Sequence, residues 1–403
     1  MKPALVFIYN SFNDPLFKGN LFQHLLRESK NNRFKFIILS FEQKDYQLSK
    51  NEEDKLKKEL LALNMLWYPM KWHSGRLILL KKLYDGISAI VLVLKLQIKF
   101  KPKVIISLGT IAGSFSYILK RIFSYKHFAY QHEPHSEFML DFGIWKKESF
   151  AYRFLHYFEH KTAHASEIIS TGTDLMVQRL KNEGVKGTIF KLPSCANDNL
   201  FIIDNNKRIH IRNKLGLSDF HRVFIYIGKF GGIYYKDETF EIIGELNKQI
   251  EKFFIIILSP DDAVWIKKKL KEQDIDQFHV NKVPYEKVYE YINASDMGIS
   301  AIPGLPSQQY RSPIKVGEYL LCGLPYITNQ GVSEDDIVAQ KYKVGVVLNN
   351  FSIDQVKMHI DSIKIAITNS NSTNLRNIGL NYRGLSVYNS ISHKIFSELY
   401  LFG

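Results

Sequence analysis

What the sequence has little of narrows it first. Cysteine occurs twice in 403 residues, at Cys195 and Cys322, which excludes a disulfide scaffold and a cysteine-rich zinc site. No run of about 18 apolar residues is present, so no segment reads as a membrane span. The start, Met1-Lys2-Pro3 followed by an apolar stretch, lacks a signal-peptide layout, and the expected location is the cytoplasm. Negative charge is in short supply. The 40 Asp and Glu residues face 54 Lys and Arg, giving a net charge of +14. That excess favours anionic partners: nucleic acid, acidic lipid or phosphorylated substrates. No nucleic-acid-binding module is recognisable, so nucleic acid is not an expected partner. Hydrophobic content of 45% with 23% charged residues fits a globular protein, and the length fits two domains.

What is there is an alternation of short apolar runs and amphipathic stretches. Residues 4–9, 34–41, 65–68, 104–107, 127–130, 167–170 and 188–192 read as buried parallel strands. Residues 21–29, 51–63, 76–100, 111–123, 152–165 and 174–183 read as helices. A polar loop over 10–20 carries Gly19, and Gly109 and Gly113 follow the 104–107 strand; sheets of this kind bind ligands at such strand ends. The 76–100 helix sets Arg76, Lys81, Lys82, Lys95 and Lys99 among Leu, Ile and Val. It is either a core helix with a solvated basic edge or a helix for an anionic membrane surface.

After the 127–130 strand come Gln131-His132-Glu133-Pro134-His135-Ser136-Glu137. Four ligand-type side chains fall in six residues, but extended spacing sends neighbours to opposite faces. No His pair at helical spacing supports zinc there, so no metal is expected. His132 and Glu133 are the acid–base or substrate-positioning candidates. His156, His160 and His164 recur at four-residue steps and share a face, read as a wet one.

The second half repeats the rhythm, with strands over 223–227, 253–258, 278–280, 296–300, 325–328 and 344–348. A glycine-rich turn, Gly228-Lys-Phe-Gly-Gly-Ile-Tyr-Tyr-Lys236, lets backbone approach a phosphate, and Lys229 and Lys236 would neutralise it without a metal. In residues 312–331 a loop, a short helix, a glycine stop and a strand follow one another. Pro313 suits a first helical turn, and Gly323 a left-handed C-cap. Lys315 and Glu318, three apart, share one side of the helix near its N-terminus, an arrangement that suits a phosphate and a vicinal diol. Residues 369–376 read as a mobile connection and 381–401 as a final helix.

The pattern Pro313, Lys315, Glu318-Tyr319, Gly323, Pro325 resembles P-x-K-x-x-E-Y-x-x-x-G-x-P, found in retaining GT-B glycosyltransferases of the family 4 type. The turn from Gly228 is similar to that family's G-R-x-x-x-x-K-G, with Lys229 for the Arg and Lys236 for the Lys. The resemblance implies two Rossmann-like domains facing across a cleft. The expected bounds are 1–200 for the acceptor domain, 201–380 for the donor domain, and 381–403 for a helix returning to the first. It implies transfer of a sugar from a UDP- or GDP-linked donor to a glycan or lipid-linked acceptor, with retention, in bacterial surface polysaccharide synthesis.

Glu318 would hold the ribose, and Lys229 and Lys236 the diphosphate. Gly19, Gly228, Pro284, Tyr310 and Lys315 would line the donor site, and His132 with Glu133 would serve the transfer. No cofactor or metal is implied. One departure is Tyr310, which stands where many members carry a Glu near the sugar. The alternatives are an epimerase, or a non-catalytic relative, of the same architecture.

Overall fold

The computed structural model describes residues 1–14, 16–73 and 78–402, apart from the side chains of 45, 78, 79, 82 and 83. The apolar runs form two wholly parallel sheets. The first contains β1 (Lys2–Ile8), β2 (Phe34–Glu42), β3 (Met65–Lys71), β4 (Val104–Leu108), β5 (Lys126–Tyr130), β6 (Ile168–Thr171) and β7 (Thr188–Lys191). Their order is β3-β2-β1-β4-β5-β6-β7. The intervening helices are α1 (Phe22–Lys30), α2 (Lys50–Ala62), α3 (Ile78–Phe100), α4 (Gly109–Phe123), α5 (His135–Asp141), α6 (Phe150–Ala165) and α7 (Asp174–Asn182).

The second sheet has β8 (Arg222–Ile227), β9 (Phe253–Leu258), β10 (Phe278–Asn281), β11 (Met297–Ile299), β12 (Tyr326–Asn329) and β13 (Gly345–Leu348), ordered β10-β9-β8-β11-β12-β13. With it come α8 (Asn205–Lys214), α9 (Asp237–Gln249), α10 (Ala263–Lys271), α11 (Val288–Ala294), α12 (Lys315–Leu321) and α13 (Asp335–Tyr342). The chain closes with α14 (Ile353–Asn369), α15 (Ser372–Arg383) and α16 (Leu385–Phe402). Contacts divide the chain into one unit of Met1–Pro193 with Asn389–Gly403 and another of Ser194–Tyr388, so the divisions fall before residues 200 and after 380.

In the first unit the chain winds outward through β1, β2 and β3, crosses back, and winds the other way through β4 to β7. Right-handed crossovers therefore put α1 and α2 on one face and α3, α4 and α6 on the other. On that second face α4 lies between its neighbours. Phe115 of α4 packs against Gly86 of α3, while Gly113 on its other side meets Thr162 of α6.

The first face is completed by α16. Phe396 sets its ring edge against Phe34, Phe36 and Phe128. Glu28, fully buried, pairs with Arg33 at 3.2 Å and His393 at 3.4 Å, and Arg27 donates to Asn389 at 2.6 Å. On the other side of the sheet, buried Glu159 of α6 takes the Ser136 N–H of α5 at 2.8 Å and the Ser136 hydroxyl. Burial pushes its carboxyl up to about 8, so it is held protonated.

In the second unit α12 and α15 approach closely. A Cβ on Gly317 would lie 2.5 Å from Cβ of Arg383, and one on Gly379 would lie 2.8 Å from Cβ of Leu320. Arg383 is fully buried. Its guanidinium donates to Ser312 Oγ, to Ser333 Oγ at 2.8 Å and to the Tyr382 hydroxyl at 2.9 Å, and lies 3.6 Å from Asp335. Tyr382 in turn donates to Asp335 at 2.7 Å.

Four local expectations are corrected. Gly19 is not in an open loop but in the helical turn Phe17–Leu21 that runs into α1, where Phe12, Phe17 and Phe22 pack on one another. Gly109 and Gly113 belong to α4, Gly109 opening it at φ +72°. Pro313 precedes the N-cap, Ile314, rather than lying in the first turn. Residues 369–376 are mostly structured, because Asn371 accepts the Asn374 N–H and starts α15. Gly323 does take the left-handed form, at φ +74°. Arg76 and the side chain of Lys82 lie outside the described residues.

Two outcomes follow from this packing. Gly317→Ala should destabilise by about 1–3 kcal/mol, since the Arg383 stem is held and cannot yield. Gly19→Ala, whose new methyl meets nothing within 4 Å, should be neutral or slightly stabilising in urea titrations. Glu159 binds a proton in the fold that the unfolded chain releases above its ordinary value of 4.5. Stability should therefore fall as pH rises from there to about 8, by at most about 1.4 kcal/mol per pH unit from this group. Glu159→Gln, compared with the parent by denaturation at several pH values, should remove that slope.

Candidate active site

The site on the second unit is built from strand ends. Beyond β8 the chain turns through Gly228 (φ +150°), Gly231 (+78°) and Gly232 (+66°), conformations open to glycine. The turn is fixed from outside. Asp261 accepts the Phe230 N–H at 2.7 Å, and the Tyr226 hydroxyl donates to the Lys229 carbonyl. The Lys229 side chain is exposed, and no ion pair to it occurs among the described residues. Lys236 is different. Its ammonium stands 5.4 Å from the centre of the Trp265 ring, itself packed on Phe230 and Phe240. Six residues separate the two lysines here where the resembled pattern has four, and the extra length carries Lys236 onto Trp265.

Lys315 and Glu318 do meet, with Nζ 3.4 Å from Oε2. Glu318 is fully buried, and its other oxygen accepts the Tyr285 hydroxyl at 2.9 Å. Tyr285 follows Pro284, which is exposed and caps the short turn Tyr285–Lys287. The residue of this loop that touches the carboxylate is thus Tyr285 rather than Pro284, the residue the resemblance singles out. Burial and the adjacent carboxylate push its phenol well above the usual range, so it stays a donor. Tyr310 lies half-buried in the turn Gln308–Tyr310. Among the described residues no hydrogen bond or ion pair joins Lys229 or Lys236 to Lys315 or Glu318. Arg383, Asp261 and Trp265 carry no local motif that could have flagged them.

In the first unit Gln131 turns the chain at φ +52° and His132 follows, its N–H on the Ser170 carbonyl at 2.8 Å. The ring is 4% exposed and faces a cavity of about 20 Å³ lined by Glu137, His156, Glu159, His160, Arg179 and Glu183, among others. That is room for one water molecule. Burial lowers the imidazole to about 4, so it is neutral near pH 7. Glu133 does not line this cavity; its carbonyl accepts from Thr110 at 2.9 Å.

Glu137 is taken up by Arg179, with one contact at 2.7 Å, and Arg179 also donates to Glu183 at 2.8 Å. The rings of His135 and Phe138 stack. Among the described residues no group of three or more His, Cys, Asp or Glu is placed to hold a metal ion. His156, His160 and His164 line an open hollow of about 490 Å³ along α6. Gly19 has open space where a side chain would be.

No protein-family model and no curated protein matches the sequence. Solved structures do. Sucrose-phosphate synthase from Thermosynechococcus elongatus superposes with a TM-score of 0.72 at 12% identity, covering 100% of both chains. HepE from Anabaena, solved in complex with UDP, gives 0.67 at 12% identity over 99% of this chain and 100% of the other. A Listeria monocytogenes structure named for a UDP-N-acetylglucosamine 2-epimerase gives 0.61 at 11% identity over 98% and 95%. At such identities the likeness is one of fold: the chain has the GT-B fold, on which both sugar transferases and an epimerase are built.

Proposed function

We propose that this chain transfers a sugar from a nucleotide-sugar, UDP- or GDP-linked, to a glycan or lipid-linked acceptor. The observation that carries the reading is the Glu318 carboxylate, buried and aimed by Tyr285 and Lys315, within a sequence pattern whose Glu binds ribose. The full-length likeness to HepE in its UDP complex supports it. Two ribose hydroxyls suit the lone pairs that Tyr285 and Lys315 leave open on the two oxygens. Lys229, on the glycine turn, takes the diphosphate, where charge grows as the bond from C1 to phosphate breaks. The acceptor oxygen joins C1 on the face that the phosphate leaves, retaining configuration, and its proton passes to the departing phosphate. That scheme uses no divalent metal. His132, with Glu133 beside it, serves the acceptor or the donor sugar. The setting is surface polysaccharide synthesis in a bacterial cytoplasm, at the inner face of the membrane.

The likeness to the structure named for an epimerase favours a second reading, epimerisation of the nucleotide-sugar with no acceptor present, in which water supplies the sugar's C1 oxygen where UDP is released. A thermal-shift screen of nucleotide-sugars identifies the donor, since binding raises apparent stability. Incubating the stabilising compound alone then separates the two readings by its products.

Four substitutions test the assignments. Glu318→Ala should weaken nucleotide-sugar binding by roughly 1–3 kcal/mol in calorimetric titration, and unchanged affinity would remove the ribose role. Lys229→Ala should lower turnover at least tenfold with its melting temperature unchanged. Lys236 reaches a phosphate only by leaving Trp265, a contact worth about 0.5–1 kcal/mol, so Lys236→Ala should be milder. His132→Ala should cut the rate about 10²–10⁴-fold, as for positioned acid–base groups, while nucleotide affinity stays. Survival of turnover within a few-fold would make His132 a loop residue.

A further inference from the structure

The first unit carries an outer surface that its own fold does not use. Along α3, Leu80, Tyr84, Ile87, Val91, Leu94 and Ile98 are 41% to 78% exposed. Their spacing is 4, 3, 4, 3, 4, so they form one continuous apolar stripe down the helix. The opposite side of α3 is already spent on the core, through Ala89, Val93 and Leu96. On the same sheet face α6 exposes Phe150, Phe154 and Tyr157, and Ile122 of α4 stands exposed between them.

Charge on these three helices has one sign. Together they contain two acids, Asp85 and Glu159, and both are buried. Their exposed charged residues are basic, among them Lys95, Lys99, Arg121, Arg153 and Lys161. By contrast α2 is mixed in sign, setting Glu52, Glu53, Asp54 and Glu59 among four lysines. A row of aliphatic and aromatic side chains set among bases, with no exposed carboxylate within the three helices and Glu148 just ahead of α6 beside Lys146 and Lys147, is unsuited to a second copy of itself, because lysines would face lysines. It suits the interface of an anionic bilayer, where apolar groups enter the headgroup boundary and bases meet lipid phosphates. No helix among the described residues is long and apolar enough to cross a membrane.

We infer that the outer surface of α3, α4 and α6 docks this protein onto an anionic lipid bilayer, and that its acceptor is therefore borne on a lipid. The second clause rests on the sugar-transfer reading above; the docking itself does not.

The test is flotation of the full chain with vesicles of phosphatidylcholine alone or with about a third phosphatidylglycerol. Binding should appear with the anionic vesicles and decline with salt. The paired change Leu94→Gln and Ile98→Gln should lower partitioning at least about tenfold, since each removes a buried aliphatic side chain. Arg153→Gln and Lys161→Gln should each lower it about fivefold. Leu94 and Ile98 line no part of the candidate active site, and Arg153 and Lys161 line only the open hollow along α6, away from Glu318 and Lys229 in sequence and in unit, so melting temperature and nucleotide-sugar binding should stay as in the parent. Equal binding to both vesicle types, or no loss in either set of variants, would overturn the docking surface. So would a stripe variant that converts a dimer to a monomer on size exclusion and leaves vesicle binding unchanged. If vesicle binding holds while no nucleotide-sugar binds, the transfer reading fails and the docking surface stands.

Discussion

A single buried guanidinium sets the frame of the second unit. Arg383 is fully out of water, and a bare cation there would cost several kcal/mol. It is sustained by Ser312, by Ser333 and Asp335 of a second stretch, and by its own neighbour Tyr382. Burial raises the Asp335 carboxyl to about 6 even with this partner, a measure of how dry the place is. The stem of Arg383 lies where Gly317 has no side chain, so the cation is also the spacer between α12 and α15. Its fork reaches Ser312, at the start of the loop leading into α12. The helix that carries Lys315 and Glu318 is thus positioned from beneath by a residue 65 positions beyond Glu318.

That positioning gives the candidate site two parts of opposite character. Glu318 is rigid: buried, in a short helix, with both oxygens already directed by Tyr285 and Lys315. A carboxylate oriented before a ligand arrives loses little further freedom on binding. Lys229 is the reverse, an exposed side chain on a turn of left-handed glycines whose backbone is nonetheless tied by Asp261 and Tyr226. A fixed acceptor for hydroxyls and a mobile cation for a charge that appears only during reaction is a division that matches their proposed tasks.

Much of the fold was legible because it is written locally. Parallel strands buried on both faces appear as runs such as Phe253–Leu258, and a helix end shows as the C-cap glycine Gly323. What was missed lies in contacts between distant positions. Gly19 looked like a loop glycine because its neighbours are polar. Three phenylalanines that pack only in three dimensions draw that segment into a helical turn. The Asn/Ser/Thr-rich stretch at 369–376 looked mobile by composition, yet Asn371 is a cap. In the site, the pairing of Lys315 with Glu318 was readable from spacing. Tyr285, 33 residues earlier, and Trp265 as the seat of Lys236 were not.

Charge shows the same limit more sharply. A net charge of +14 says that anions are welcome somewhere on the molecule, and no more. The sheet topology sorts it. Because α1 and α2 lie on one face of the first sheet and α3, α4 and α6 on the other, the acids of α2 and the exposed bases of α3, α4 and α6 are held apart. The two acids within α3, α4 and α6 are spent internally, Glu159 on Ser136 and Asp85 beside His73. A modest excess of lysine and arginine becomes a one-signed surface through the winding of the chain, and composition alone has no access to that.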